Sequence, residues 1–285
     1  MLLLDCGGFF PNKFSRTTRE FTADVGLKAA NIMGYTAMNV GTGEFSLGMD
    51  FLREKSADLN FPLVASNLSY AKGASPFTKK YVMAQAGGLK VAVLGVMSPG
   101  ILDKMLRSGT YGIVEVIPPY EALETLLPWI GKEADIVILL SQLGLTETKR
   151  LVDSLEGIDL AIYGGNDNKP AECGEEEIKS ESPAEKSETP GFKASFRGSH
   201  LGYIRLSVDD AGRVAVDNRK MISLNDAVAM DDKVLEIAGG DIFKREAEER
   251  QRDAEEERRK AEREIKELHK LSPMEYMEKL LKEQS

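Results

Sequence analysis

Short apolar runs alternate with helix-period stretches along roughly the first 168 residues. Runs at 2–4, 37–40, 63–66, 91–96, 136–140 and 160–163 are apolar or β-branched and close on Gly, Asn, Ser or Pro. Such runs predict buried strands. Between them, 22–33, 49–55, 120–132 and 146–155 carry apolar residues at helical spacing. Alternating strands and helices, with strands apolar on both faces, predict an α/β fold. Ligands in such folds gather at the carboxyl ends of strands. The polar residues just after the runs therefore form a candidate cleft: Asp5, Cys6, Glu44, Gln142, Asn166, Asp167 and Asn168.

The rhythm breaks at 171–190, AECGEEEIKSESPAEKSETP. This stretch has too little apolar surface to offset the entropy of ordering and is expected to be an acidic flexible loop. Strand character returns over 192–222, with a turn at 210–212 and a hairpin across it. From 241 to 270 the chain is dense in both charges, with Glu255/Arg259, Glu256/Lys260 and Glu262/Lys266 at four-residue spacing. These pairs predict one long charged helix, each contributing about 0.2–0.5 kcal/mol in isolation. Ala247, Ala254, Ala261 and Leu268 give it a thin heptad seam. Ser272 and Pro273 then suit a cap and first position for a short amphipathic helix at 271–285. Its stripe is Met274, Met277, Leu280 and Leu281. The expected organisation is a domain over 1–235, the charged helix over 241–270 and the terminal helix.

A hydrophobic share of 42% over 285 residues allows a sizeable core. The net charge of −9 argues against nucleic acid or anionic lipid as general partners. A protein partner contacting 241–285 is the interaction most in keeping with the composition; a small-molecule ligand is not identifiable. No apolar run is long enough to span a membrane. MLLLDCGGFF lacks the basic start and long apolar middle of a signal peptide. A chain opening mid-strand suggests an absent upstream segment. The expected compartment is cytoplasmic as the sequence stands and periplasmic if that segment carries a signal. The two cysteines, Cys6 and Cys173, have no metal spacing, and the two histidines, His200 and His269, exclude a histidine-rich centre.

Several blocks, in order, carry a family resemblance: AANIMGYTAMNVGTGEFSLGMDFLRE, FPLVASNLS, VAVLGVMSP, ADIVILLSQLGL, GIDLAIYGGNDN, GSHLGYIRLSVD and ISLNDAVAMDDKV. Over about 1–235 the chain resembles the 5′-nucleotidase and UDP-sugar hydrolase family, UshA-like proteins with a calcineurin-like metallophosphoesterase domain. The resemblance implies a metallophosphoesterase-type α/β/β/α sandwich, here N-terminally truncated and followed by a C-terminal long charged helix. It also implies two divalent metals at the strand ends that clamp phosphate and activate water. Carried across residue by residue, the ligand and catalytic positions hold other side chains. Gly8 stands where the bridging Asp belongs. Thr42 replaces the ligand Asn, Gly43 the catalytic His and Ser46 its Asp partner. Gln142 replaces a ligand His, and Asn166 and Asn168 occupy the last ligand positions.

Glycines, amides and a hydroxyl do not neutralise two dications. The expectation is therefore a degenerate, non-catalytic binding or scaffold module with no cofactor, its rim holding at most a weak Mg²⁺ or Ca²⁺. A residual metal-dependent phosphoester hydrolase is the second reading. A third is a thiol redox protein using Cys6, because some UshA-like (seleno)proteins carry Cys or selenocysteine in this scaffold and backbone amides beside Gly7 and Gly8 would lower a thiol pKa. Gly41, Glu44, Phe45, Gly48, Gly164 and Gly165 read as turn-forming positions, His200 as packing and Trp129 as a core or rim residue.

Overall fold

The computed structural model describes residues 1–11, 14–101, 114–165, 189–194, 198–225, 228–229 and 231–239, and six positions between 252 and 263. The chain divides into two compact units, Met1–Ile237 and Ala238–Ser285.

The first unit contains two sheets. In the four-stranded sheet, β1 (Leu4–Asp5), β2 (Ala37–Asn39), β3 (Leu63–Val64) and β5 (Thr78–Lys79) run parallel in the order β1-β2-β3-β5. The five-stranded sheet has the order β11-β10-β9-β7-β6, from β6 (Tyr81–Ala86), β7 (Leu89–Met97), β9 (Ile136–Gln142), β10 (Leu160–Tyr163) and β11 (Gly191–Lys193). Only β6 is antiparallel in it. A short pair, β4 (Leu68–Tyr70) with β8 (Val114–Val116), and a hairpin, β12 (His200–Val208) with β13 (Val214–Ser223), complete the strands.

The layering follows from alternation along the strands, because successive side chains point to opposite faces. On β7, Val91 and Val93 face one core cluster while Ala92, Leu94 and Val96 face another. On β9, Ile136, Ile138 and Leu140 take the first side and Val137 and Leu139 the second. The second side packs on helices α3 (Pro119–Ile130) and α4 (Leu145–Ser154), through Leu123, Leu127, Leu151 and Val152. The first side meets Ala37 and Val64 of the other sheet. That sheet's opposite face, with Met38 and Leu63, packs on α1 (Arg16–Met33) and α2 (Met49–Ser56). The result is the expected α/β/β/α sandwich, helices outside and two sheets face to face. Each large apolar side chain buried in these layers contributes about 1.5–3 kcal/mol.

Helix α1 begins at Arg16, ahead of the expected 22. Ser15 caps it, its hydroxyl accepting from the Thr18 N–H at 3.3 Å, and Gly34 ends it in the left-handed region at φ 73°. The first turns, RTTREF, are polar and carry no apolar period, so only the cap could mark the true start. The turn after β12 falls at Asp209–Gly212, with the Asp209 carboxylate accepting from the Ala211 and Arg213 N–H groups at 2.9 Å. A fifth helix, α5, covers Asp232–Ala238. In the second unit the described positions 252, 255, 258, 259, 262 and 263 are helical, and Arg258 pairs with Glu262 at 3.0 Å.

Candidate functional site

The carboxyl ends of β1, β2, β9 and β10 converge. Three side chains organise the convergence, and all three are turned onto the main chain.

The first is Glu44, in a 3₁₀ turn at Glu44–Leu47 and fully buried. Its carboxylate accepts four backbone N–H groups: Gly41 at 2.7 Å, Gly8 at 3.0 Å, Phe9 at 2.6 Å and Phe10 at 3.3 Å. The second is Asn39 at the end of β2, also fully buried. Its amide nitrogen faces the carbonyls of Cys6 and Val96, each at 3.0 Å, and Leu140 at 3.1 Å. It thereby ties both sheets together. Its Oδ1 has no hydrogen-bond partner among the described residues. The third is Gln142, closing β9, whose Nε2 donates to the carbonyls of Cys6 at 2.9 Å and Gly7 at 2.7 Å.

Gly7 and Gly8 turn with φ 90° and 78°, a region that disfavours side chains. Asp5 Oδ1 accepts from the Gly7 N–H at 2.8 Å. Burial pushes the Asp5 carboxyl up to about 6; the Glu44 charge adds to this, and the Gly7 hydrogen bond opposes it.

Cys6 corrects an expectation. It is buried, with Sγ 3.0 Å from the Ser141 carbonyl and 3.2 Å from that of Ile162. Burial, with the neighbouring Asp5 charge, pushes its thiol far above the usual range. A reactive thiol needs the opposite: exposure and a stabilised thiolate. The backbone amides expected to lower its pKa are taken up elsewhere, that of Gly7 by Asp5 and that of Gly8 by Glu44.

Of the family-derived positions, the structure brings Gly8, Gly43 and Gln142 together. A Cβ built at Gly43 would lie 3.1 Å from Gly8 Cα and 3.1 Å from the Phe10 carbonyl oxygen. The backbone after β1 thus crowds any side chain at position 43. A Cβ at Gly8 would lie 3.5 Å from Gln142 Oε1, so these two positions face each other. Thr42 is half-buried beside them. The Ser46 hydroxyl is buried with no hydrogen-bond partner among the described residues, and its carbonyl accepts from Arg19 at 3.4 Å. Asn166, Asp167, Asn168 and Cys173 lie outside the described residues, as does most of 241–285. His200 opens β12 with Nδ1 3.0 Å from the Ser199 hydroxyl. Asn39 was not anticipated. A lone Asn at a strand end carries no motif, and only the buried position of that strand end could have flagged it.

No family model matches the chain. Rat 5′-nucleotidase is 27% identical over 254 residues, covering 81% of this chain and 42% of its own length. Among solved structures, the calcineurin-like phosphoesterase YfkN from Bacillus subtilis superposes with a TM-score of 0.64 at 21% identity, covering 84% of this chain and 82% of that one. The 5′-nucleotidase precursor from Thermus thermophilus gives 0.67 at 20% identity, covering 86% and 50%. The chain thus spans less than half of the curated 5′-nucleotidase it matches. The likeness to the solved structures establishes the fold.

These relatives correct the expectation of a cofactor-free domain, because 5′-nucleotidases and calcineurin-like phosphoesterases are dinuclear metal enzymes. The donor set described here does not fit such a centre. Among the described residues no group of three or more His, Cys, Asp or Glu side chains is placed to hold a metal ion. Glu44 is saturated by N–H groups, and Gln142 presents its nitrogen to carbonyls. No helix among the described residues is long and apolar enough to cross a membrane.

Proposed function

We propose, for a chain related to the UshA-like 5′-nucleotidases, that it is a degenerate member acting as a non-catalytic binding or scaffold module. One observation carries this reading: at the strand ends the side chains present are committed to the backbone. Glu44 accepts four main-chain N–H groups, and Gln142 donates to two main-chain carbonyls. Phosphoester hydrolysis needs concentrated positive charge and an activated nucleophile at one point. Glycine at 8 and 43 and Thr at 42 contribute neither. Partner contact is assigned to 241–285, whose stripe of Met274, Met277, Leu280 and Leu281 and dense charge suit a protein surface.

The second reading, a residual metal-dependent phosphoester hydrolase, draws support from the relatives, among them a trifunctional nucleotide phosphoesterase and several 5′-nucleotidases. One assay separates the two. The full chain, supplied in turn with Mn²⁺, Zn²⁺, Mg²⁺ and Ca²⁺, is incubated with AMP and UDP-glucose and phosphate release is followed. The expected outcome is release no faster than with metal alone. Turnover in the ordinary enzymatic range, roughly 1 s⁻¹ or above, sinks the non-catalytic reading.

A further inference from the structure

Gln142 sits in a cage of glycines. A Cβ at Gly41 would lie 2.9 Å from its Cγ and 3.0 Å from Oε1. One at Gly164 would lie 2.9 Å from Nε2, one at Gly7 3.2 Å from Cγ, and one at Gly8 3.5 Å from Oε1. These glycines come from three separate segments, the exits of β1, β2 and β10. Gly41 and Gly164 have no positive φ to require glycine, so their backbone conformation does not explain them. What they share is contact with the Gln142 side chain.

We infer that Gln142 is a clasp, and that the glycine cage and the carboxamide are a matched pair holding the turn after β1 shut over Cys6. The clasp crosses between the sheets, since Gln142 belongs to β9 and the carbonyls it ties belong to the segment leaving β1. Nε2 lies within hydrogen-bond distance of both carbonyls. The Cys6 carbonyl also takes a hydrogen bond from Asn39, so opening the turn breaks contacts on both sides of the peptide. Directly beneath lies the Cys6 thiol, 3.7 Å from the point where a Gly164 Cβ would stand. The arrangement makes Cys6 a native reporter of the clasp. This inference holds whether or not the domain hydrolyses phosphoesters, and its test does not read hydrolysis.

The test uses the full chain with Cys173→Ser, which leaves Cys6 as the single thiol. The rate of reaction with an aromatic disulfide reagent under native conditions is compared with the midpoint of urea unfolding. Protection of a buried group reports the free energy of local opening. Gln142→Ala should speed Cys6 labelling about 10- to 100-fold, from the loss of two part-buried hydrogen bonds. Gln142→Met, which fills the cage without donating, should fall between the parent and Gln142→Ala. Gly41→Ala in the parent should also speed labelling, because its Cβ collides with Gln142. In the Gln142→Ala background, where that collision is gone, Gly41→Ala should add less than about twofold; contacting residues are not additive. Three results overturn the inference: unchanged labelling in Gln142→Ala, full additivity of the two substitutions, or labelling that follows only the global unfolding midpoint in every variant.

Discussion

At the scale of single residues, Glu44 and Asp5 show how differently two neighbouring carboxylates can be held. Glu44 is a buried acceptor for four N–H groups. Removing it leaves those donors buried and unpaired, which is far costlier than the net value of the bonds. Glu44→Ala is expected to lower stability by about 3–5 kcal/mol, and Glu44→Gln, which keeps one oxygen, by about half as much. Urea unfolding of the two variants checks this; a loss below about 1 kcal/mol for the alanine form contradicts the assignment. Asp5 works against the fold near neutrality. Its carboxyl is raised to about 6 from 3.8, so the folded chain holds the proton more tightly than the unfolded chain. Its contribution to stability is full below about pH 4 and is lost as pH rises through about 6. Asp5 is partly exposed, so solvent screening limits the loss to about 1–2 kcal/mol. Asp5→Asn should flatten the stability profile over that window, most visibly between about pH 4.5 and 7, when unfolding midpoints of parent and variant are compared.

At the scale of elements, close approach of the two sheets rests on β7. A Cβ at Gly95 would collide with Asn39 Oδ1 and lie 2.9 Å from the Val64 carbonyl oxygen. The Asn39 side chain and the Val64 backbone of the facing sheet therefore fill the space a side chain would take. Gly95→Ala should cost about 3 kcal/mol, the upper range for overpacking, with Gly87→Ala or Gly88→Ala as turn controls that alter only a positive-φ position. Much of this architecture was legible. Runs such as VAVLGV and DIVILL are apolar on both faces because one side meets helices and the other a second sheet, and that is the pattern the structure resolves into three core clusters. Strand β6 was missed, although Gly87–Gly88 between YVMAQA and LKVAVL is a hairpin signal. The partial alternation of β6 reflects an edge position. The short β4–β8 pair joins three-residue strands far apart in sequence, and nothing local announces such a partner. At the site, Gly8, Gly43 and Gln142 were legible only as positions carried over from a family resemblance. The contacts made there were not legible, since hydrogen bonds of Glu44, Asn39 and Gln142 with the main chain depend on where distant loops converge.

At the scale of the whole molecule, the question is whether the scaffold and the chemistry can be separated. The sandwich superposes on phosphoesterases with TM-scores of 0.64 and 0.67, so the frame that aims the strand ends is intact. On the proposed non-catalytic reading, installing the side chains that the family resemblance implies would produce hydrolysis only if residue identity were all that differed. The geometry argues otherwise. Gln142→His exchanges a donor that ties two carbonyls for a ring that must fit between Gly41 and Gly164, where even an added Cβ lies at 2.9 Å. Gly43→His requires the loop at Gly8 and Phe10 to withdraw, and that loop is pinned by Glu44. Gly8→Asp places a side chain at φ 78°, which strains the backbone by about 1 kcal/mol or more. The combined variant Gly8→Asp, Thr42→Asn, Gly43→His, Gln142→His is therefore expected to unfold at lower urea than the parent and to release no phosphate from AMP with Mn²⁺ or Zn²⁺ supplied. Recovery of both parental stability and metal-dependent turnover in that variant would mean that the closed loop yields freely, and that position, not packing, governs this site.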